Sequence, residues 1–256
     1  MRVSGLHRYP VKSLGGEALG SAALVPGRCL ANDRRYAFVP RAPGAPPPQP
    51  GWRPKSRCVA LVRHAAAARL FARYDDTGGV LRLAAGSRTL AEGVPENAGD
   101  RARLEAAAAG VLAADIGGGV DLVAAGARGD GTDGAMTDVD APFVSLVNLA
   151  SVAALAAAIG ATVDPQRFRA NILLEDAPAW AERDWGGRVL AVGEARLRIV
   201  APIERCAATE VNPASAARDL AVLRGLSGAF GHVEMGIYAE VVAGGTATLG
   251  AALGFV

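Results

Sequence analysis

Few residues in this 256-residue sequence have chemistry to offer. Cys29, Cys58 and Cys206 lie far apart with no CxxC pair, which excludes a four-cysteine zinc or iron–sulfur site built by this chain alone. His7, His64 and His232 are too few for a histidine-rich metal site. Gly-x-Ser-x-Gly is absent, so the usual hydrolase elbow is missing. The run Gly117-Gly118-Gly119 lacks a P-loop lysine and follows a helix-patterned segment rather than a strand. What remains is a set of basic and polar residues at or just outside strand-patterned segments: Lys12-Ser13, Arg34, Arg169 with Asn171, and Arg205-Cys206. Singly, such an arginine reads as a solvated or ion-paired residue, and such a cysteine as an inert core thiol. Cys206 departs from that reading, because it leaves a strand beside Arg205 and just ahead of Thr209. A neighbouring guanidinium favours the thiolate, the species that both a nucleophile and a soft-metal ligand require.

The elements that must position these residues are mostly short strands. Residues 3–7, 18–25, 35–39, 58–62, 80–83, 120–124, 143–147, 169–174, 189–192, 195–200 and 238–242 all read as strands, punctuated by Gly and Pro. Residues 64–74 are helix-prone. Asp100 is placed to cap an Ala-rich helix to about Ala114 that stops at Gly117. Asn148 caps a second helix over 149–159, with Gly160 as its stop. The proline-rich stretch 40–54 reads as an exposed loop. Many short strands with few long helices predict a mainly β (α+β) fold built on a barrel or strongly bent sheet. The Gly- and Asp-rich loop 125–134 is where the chain divides, giving a β-rich part over 1–123 and a second part over 124–256.

Composition narrows the function classes. About half the residues are apolar, a fifth are charged, and the formal charge of +2 leaves no nucleic-acid or membrane footprint. Lys12 and Lys55 are the only lysines among 27 cations, which draws attention to both. An odd cysteine count without a framework predicts a reducing compartment, so the expected location is cytoplasmic. Residues 1–16 carry Arg2, Arg8 and Lys12 and no apolar stretch, so no signal peptide is expected. Residues 141–163 are uncharged and long enough to consider as a membrane span. Asn148 and Ser151 interrupt that run, and a strand followed by a buried helix explains it better.

Five motifs in order give the sequence a family resemblance. Tyr9-Pro10-Val11-Lys12-Ser13-Leu14 is followed by Gly27 and Asp33-Arg34, then Asn148-Leu149-Ala150-Ser151, then Arg167-Phe168-Arg169-Ala170-Asn171. Pro202-Ile203-Glu204-Arg205-Cys206-Ala207-Ala208-Thr209 continues to Asn212-Pro213, and Phe230-Gly231 leads into what look like the closing barrel strands. The chain resembles the MOSC family, the C-terminal domain of molybdenum-cofactor sulfurases and of the mitochondrial amidoxime-reducing components. That resemblance implies a β-rich N-terminal domain and a MOSC β-barrel domain with peripheral helices. It also implies a molybdenum–pyranopterin cofactor, held by the cofactor's own dithiolene sulfurs and by one protein thiolate.

On this resemblance Cys206 is the metal ligand and a catalytic residue, with Asn148 as a second catalytic candidate. Lys12, Ser13 and Arg34 receive the anionic end of the cofactor; Arg169 and Asn171, two apart on one strand, contact the pterin. Arg205 contacts the cofactor or tunes the Cys206 thiolate, and Ser151 and Thr209 complete the set. Asn148 and Ser151 also read simply as a helix N-cap and its N3 neighbour. Three departures stand out: Cys58 lies near a position where relatives often carry proline, in a loop richer in prolines than usual; Gly250-Ala251 stands in place of a closing Gly-Asp; and no ferredoxin-like extension is evident. The resemblance implies an oxidoreductase that reduces a small N-oxygenated or other oxo-bearing substrate. With no flavin, nicotinamide, haem or iron–sulfur fingerprint, its electrons are expected from a separate donor such as a ferredoxin or a cytochrome. The alternative is a carrier that passes on the cofactor, or a sulfur bound at Cys206.

Overall fold

The structure is a computed structural model and describes residues 1–129 and 134–256; residues 130–133 of the expected boundary loop lie outside the described residues. The N-terminal half contains β1 (Arg2–Arg8), β2 (Glu17–Ala18), β3 (Ser21–Leu24) and β4 (Tyr36–Pro40). It continues with β5 (Phe71–Asp75), β6 (Val80–Ala85), β7 (Arg88–Gly93), α1 (Ala98–Ile116) and β8 (Val120–Ala124). The C-terminal half adds β9 (Phe143–Asn148), α2 (Leu149–Ile159), β10 (Ile172–Glu175), β11 (Val189–Val192) and β12 (Ala195–Glu204). It ends with α3 (Val222–Phe230), β13 (Glu234–Ala243), β14 (Gly245–Thr248) and β15 (Leu253–Phe255).

Eight strands form one sheet in the order β15-β11-β12-β13-β9-β10-β1-β2. All its pairings are antiparallel except β9 with β10, the parallel pair joined through α2. The sheet curls until its ends meet. Val3 N donates to Ala251 O at 2.9 Å, Gly250 N to Val3 O at 2.8 Å, and Leu253 N to Met1 O at 2.9 Å. Gly250-Ala251 is thus the closing turn, with Gly250 at a φ of +82° where glycine carries no steric penalty. The alternation of the strands fills the interior with one face of each, including Leu146, Ile172, Leu190, Leu197, Ile237 and Val241.

The second core lies under the β5–β6–β7 meander, the β4–β8 pair and α1, and contains Phe38, Leu81, Leu83, Leu104 and Leu112. A third, smaller cluster packs α2 and α3 on the outside of the large sheet through Val152, Leu155, Val222 and Leu226. Strand β1 belongs to the same sheet as β9–β13, while the chain after it enters the second core. The turn between β1 and β2, which carries Lys12 and Ser13, therefore runs along the seam between the two bodies.

Several sequence expectations are corrected. Asn97, not Asp100, caps α1: its Oδ1 accepts from Gly99 N and Asp100 N, while the Asp100 carboxylate reaches back to Val94 N. Residues 58–62 form no strand. The helix-prone stretch 64–74 splits into a short 3-10 turn, Ala65–Arg69, and strand β5. Four alanines favour a helix, but one turn is too short to hold without further hydrogen bonds. The period-two burial of Ala72 and Tyr74 then sets the strand. Phe230-Gly231 ends helix α3, with Gly231 at φ +75° as its left-handed cap, and leads into β13 as expected. Strand β10 begins only at Ile172, because Arg169 takes a left-handed φ of 52°.

Candidate cofactor site

A cavity of about 570 Å³ opens along the seam between the two bodies. Of the ten residues singled out from the sequence, eight line it: Lys12, Ser13, Arg34, Arg169, Asn171, Arg205, Cys206 and Thr209. Three of these, Ser13, Arg34 and Arg169, have φ between 51° and 70° without being glycine. Such backbone persists only where the surroundings over-determine it, and it collects here.

The cations of the cavity fall into two groups. Lys12 is compensated: its Nζ donates to Asp138 Oδ1 at 2.6 Å and to Met136 O at 2.7 Å. Burial lowers its pKa, and Asp138 works against that fall. Arg34 is compensated too, since it pairs with the buried Asp33 and donates to Arg169 O at 2.8 Å. Burial opposes its charge, but Asp33 outweighs burial and its pKa is raised.

Arg169 and Arg205 have no carboxylate partner among the described residues. Arg169 donates to Leu14 O, while its Nη2 is buried without a partner. It stacks 4.3 Å from the Tyr9 ring, which also receives Arg34 at 5.2 Å. Burial, reinforced by the nearby Arg34 charge, pushes the Arg169 pKa down to about 10. The Arg205 guanidinium donates only to backbone, to Met235 O and Phe168 O, and burial lowers its pKa to about 10. Two enclosed guanidinium groups without a paired carboxylate among the described residues suit an anion.

Cys206 stands at the end of β12, half-buried, and opens the short 3-10 turn Ala207–Glu210. Thr209 holds that turn with both its backbone N–H and its hydroxyl on Cys206 O, each at 3.0 Å. Its hydroxyl thus positions Cys206. The Arg205 guanidinium is committed to the carbonyls of β13 and of Phe168. Asn171 is also committed internally: Oδ1 accepts from Ser145 N and Oγ, and Nδ2 donates to His7 O. It clasps β9 to β1 beneath the cavity wall.

Asn148 and Ser151 do not reach the cavity, which corrects the roles expected for them. Asn148 is fully buried, caps α2 at Ala150 N, and donates to Pro178 O at 2.8 Å and to Glu182 Oε2 at 3.0 Å. Ser151 donates to Glu182 Oε1 at 2.7 Å and accepts from Trp180 N. The helix-cap reading holds for both, on the far side of β9. The partners that sequence reasoning missed are Tyr9, Asp33 and Asp138, which hold the cations, and Glu182. Tyr9 and Asp33 stood inside quoted motifs, but nothing in their spacing marked them as supports. Burial pushes the Tyr9 pKa up to about 12, so its ring stays neutral between the two guanidinium groups.

Among the described residues, no group of three His, Cys, Asp or Glu side chains is arranged to hold a metal ion.

Residues 133–253 match the family model of the MOSC domain. That span, 121 of the 256 residues, is similar to the MOSC domain. Cys206, Arg205, Thr209, Arg169 and Asn171 belong to it, whereas Lys12, Ser13 and Arg34 come from the chain that precedes the matched span. The cavity is therefore completed from outside the matched span. No curated protein matches the chain. Among solved structures, YiiM from Geobacillus stearothermophilus is 18% identical with a TM-score of 0.35 over 44% of this chain. The chain spans 53% of that protein's length. YiiM from Escherichia coli is 18% identical with a TM-score of 0.33, covering 44% of this chain and 53% of its own. The YUAD protein from Bacillus subtilis is 12% identical with a TM-score of 0.45, covering 98% of this chain and 93% of its own.

Proposed function

We propose that the protein binds the molybdenum–pyranopterin cofactor in this cavity and acts as an oxidoreductase on small N-oxygenated or other oxo-bearing substrates. The observation that carries the reading is the pair of uncompensated cations, Arg169 and Arg205, enclosed in one cavity with the Cys206 thiol. The donor set suits the group: one soft sulfur for the metal, and guanidinium donors, one with an orphaned N–H, for an anionic pterin tail. When bound, the cofactor would supply two-electron oxygen-atom transfer. The chain's own residues bind and orient. Cys206 would hold the metal, Thr209 fixes the turn behind it, and Arg169 with Arg205 would neutralise the phosphate. Lys12 and Arg34, each already paired, shape the wall and hold Asp138 and Asp33 in place.

The test is expression in a host that makes the cofactor, followed by molybdenum content and a visible spectrum of the purified protein. An N-hydroxylated substrate is then supplied with NADH alone, and again with a reductase and ferredoxin added. One molybdenum per chain and turnover only with the full donor system is the expected result. Absence of molybdenum would overturn the reading. Full loading without turnover with any donor, together with a cyanide-labile sulfur, would favour the carrier alternative.

A further inference from the structure

Residues 34–74 contain nine arginines and lysines and no aspartate or glutamate, while the rest of the chain is net negative. This basic stretch forms one wall of the cofactor cavity through Lys55 and Ala60-Leu61-Val62. At its outer edge the exposed Arg63 donates to the carbonyls of Lys55, Ser56 and Cys58, which fixes it over the turn bearing the exposed Arg57. From the other side of the opening Arg218, also exposed, donates to Leu61 O and Val62 O and, through its other nitrogen, to Ala207 O. Ala207 is the residue after Cys206. Two of these exposed guanidinium groups, Arg63 and Arg218, are thus anchored on backbone carbonyls around one mouth beside Arg57, and none of the three has a carboxylate partner among the described residues. Among the described residues the acids on the cavity itself are Asp138, held by Lys12 and more loosely by Lys55, and Glu204.

Exposed arginines held in place without counter-ions give a lasting positive field, and such fields steer oppositely charged partners. We propose that this rim, Arg57, Arg63 and Arg218 with Lys55 behind them, is the docking surface for a small acidic electron-transfer protein. This rests on the oxidoreductase reading above, and it names the partner by its charge. A donor seated there lies over the Cys206 end of the cavity. Each encounter delivers one electron, so two encounters and two protons from water convert one oxo-bearing substrate to its reduced form and water. Binding of this kind is brief and salt-sensitive, because exposed pairs are screened beyond about 10 Å at 0.1 M salt.

The test is equilibrium titration with an acidic [2Fe–2S] ferredoxin between 20 and 300 mM NaCl, followed by NMR line broadening. The expected result is a Kd that rises at least tenfold across that range. Arg57→Glu with Arg218→Glu should weaken binding at least tenfold at 20 mM NaCl. Arg73→Glu with Arg88→Glu, exposed arginines of the β5–β6–β7 meander that do not line the cavity, should change it less than twofold. Arg57→Glu alone, at a side chain with no hydrogen bond among the described residues, guards against a folding defect and should still weaken binding severalfold. No binding, no salt dependence, or equal loss in the control pair would overturn the docking surface. Turnover with a small artificial reductant separates the two ideas. If it persists while ferredoxin fails to bind, the docking surface is wrong and the oxidoreductase reading stands. Salt-sensitive binding at this rim, with no turnover from any donor, sinks the oxidoreductase reading instead.

Discussion

Asn148→Asp is the sharpest perturbation of the buried network behind the cavity. The side chain keeps its size and can still cap α2, since a carboxylate accepts from Ala150 N and suits a helix N-terminus. What changes is the contact with Glu182. The wild-type Nδ2 donates to Glu182 Oε2 at 3.0 Å, and Asn148, Ser151 and Glu182 are all at most 1% exposed. A second carboxylate at that separation meets the first with about 5 kcal/mol of repulsion, taking an effective dielectric of 20. The pair escapes by keeping one proton, so the folded state binds a proton that the unfolded state releases near pH 4. Stability must then fall as pH rises, by about 1.4 kcal/mol per pH unit. At pH 7 the variant should be about 3 kcal/mol less stable than the wild type, after allowing for the better cap. At pH 4.5 the difference should be under about 1 kcal/mol. Urea denaturation followed by circular dichroism at half-unit steps from pH 4.5 to 8 measures both. A difference that stays flat across that range would refute the assignment of Asn148 to the Glu182 network. Ser151→Ala removes a donor without adding a charge, so its loss should show no such slope.

Cys206→Ser replaces a soft sulfur by a hard oxygen at a half-buried turn, so molybdenum content should drop at least tenfold while the urea midpoint stays unchanged. Gly236→Ala should destabilise by more than about 2 kcal/mol in the same denaturation assay, because the backbone has φ +76° and a Cβ there would lie 2.3 Å from Leu146 O in the neighbouring strand. His7 has its pKa lowered from 6.5, chiefly by burial, so the unfolded chain takes up its proton first and stability falls as pH drops below about 6.5. His7→Phe should remove that part of the acid sensitivity, read as a flatter stability curve between pH 6.5 and 5.

What the sequence disclosed depended on whether a local rule or a distant partner decided each element. Helix α2 was legible because Asn148 and Gly160 state its start and stop in their own residue types. Strands β8 and β11 were legible for the same reason, as short apolar runs between turn residues. Residues 58–62 were misread because their apolar side chains pack into the cores beside β4 while the backbone, after Val59 N donates to Phe38 O at 2.7 Å, turns away at 61–63 before a ladder can form. At the site, residue identity was a better guide than residue role. The motifs bring Lys12, Arg34, Arg169, Arg205 and Cys206 to one cavity, yet nothing in a motif says which cation already has its counter-charge. That division depends on Asp33 and Asp138, each placed by the fold against a residue of the motif set. It determines the chemistry, because a paired lysine shapes a wall while an unpaired arginine draws an anion. Asn148 and Ser151 illustrate the converse, since a motif can mark residues that the fold needs rather than the site. Their carbonyl, carboxylate and backbone partners on 178–182 lie some thirty positions downstream, beyond the reach of any local pattern.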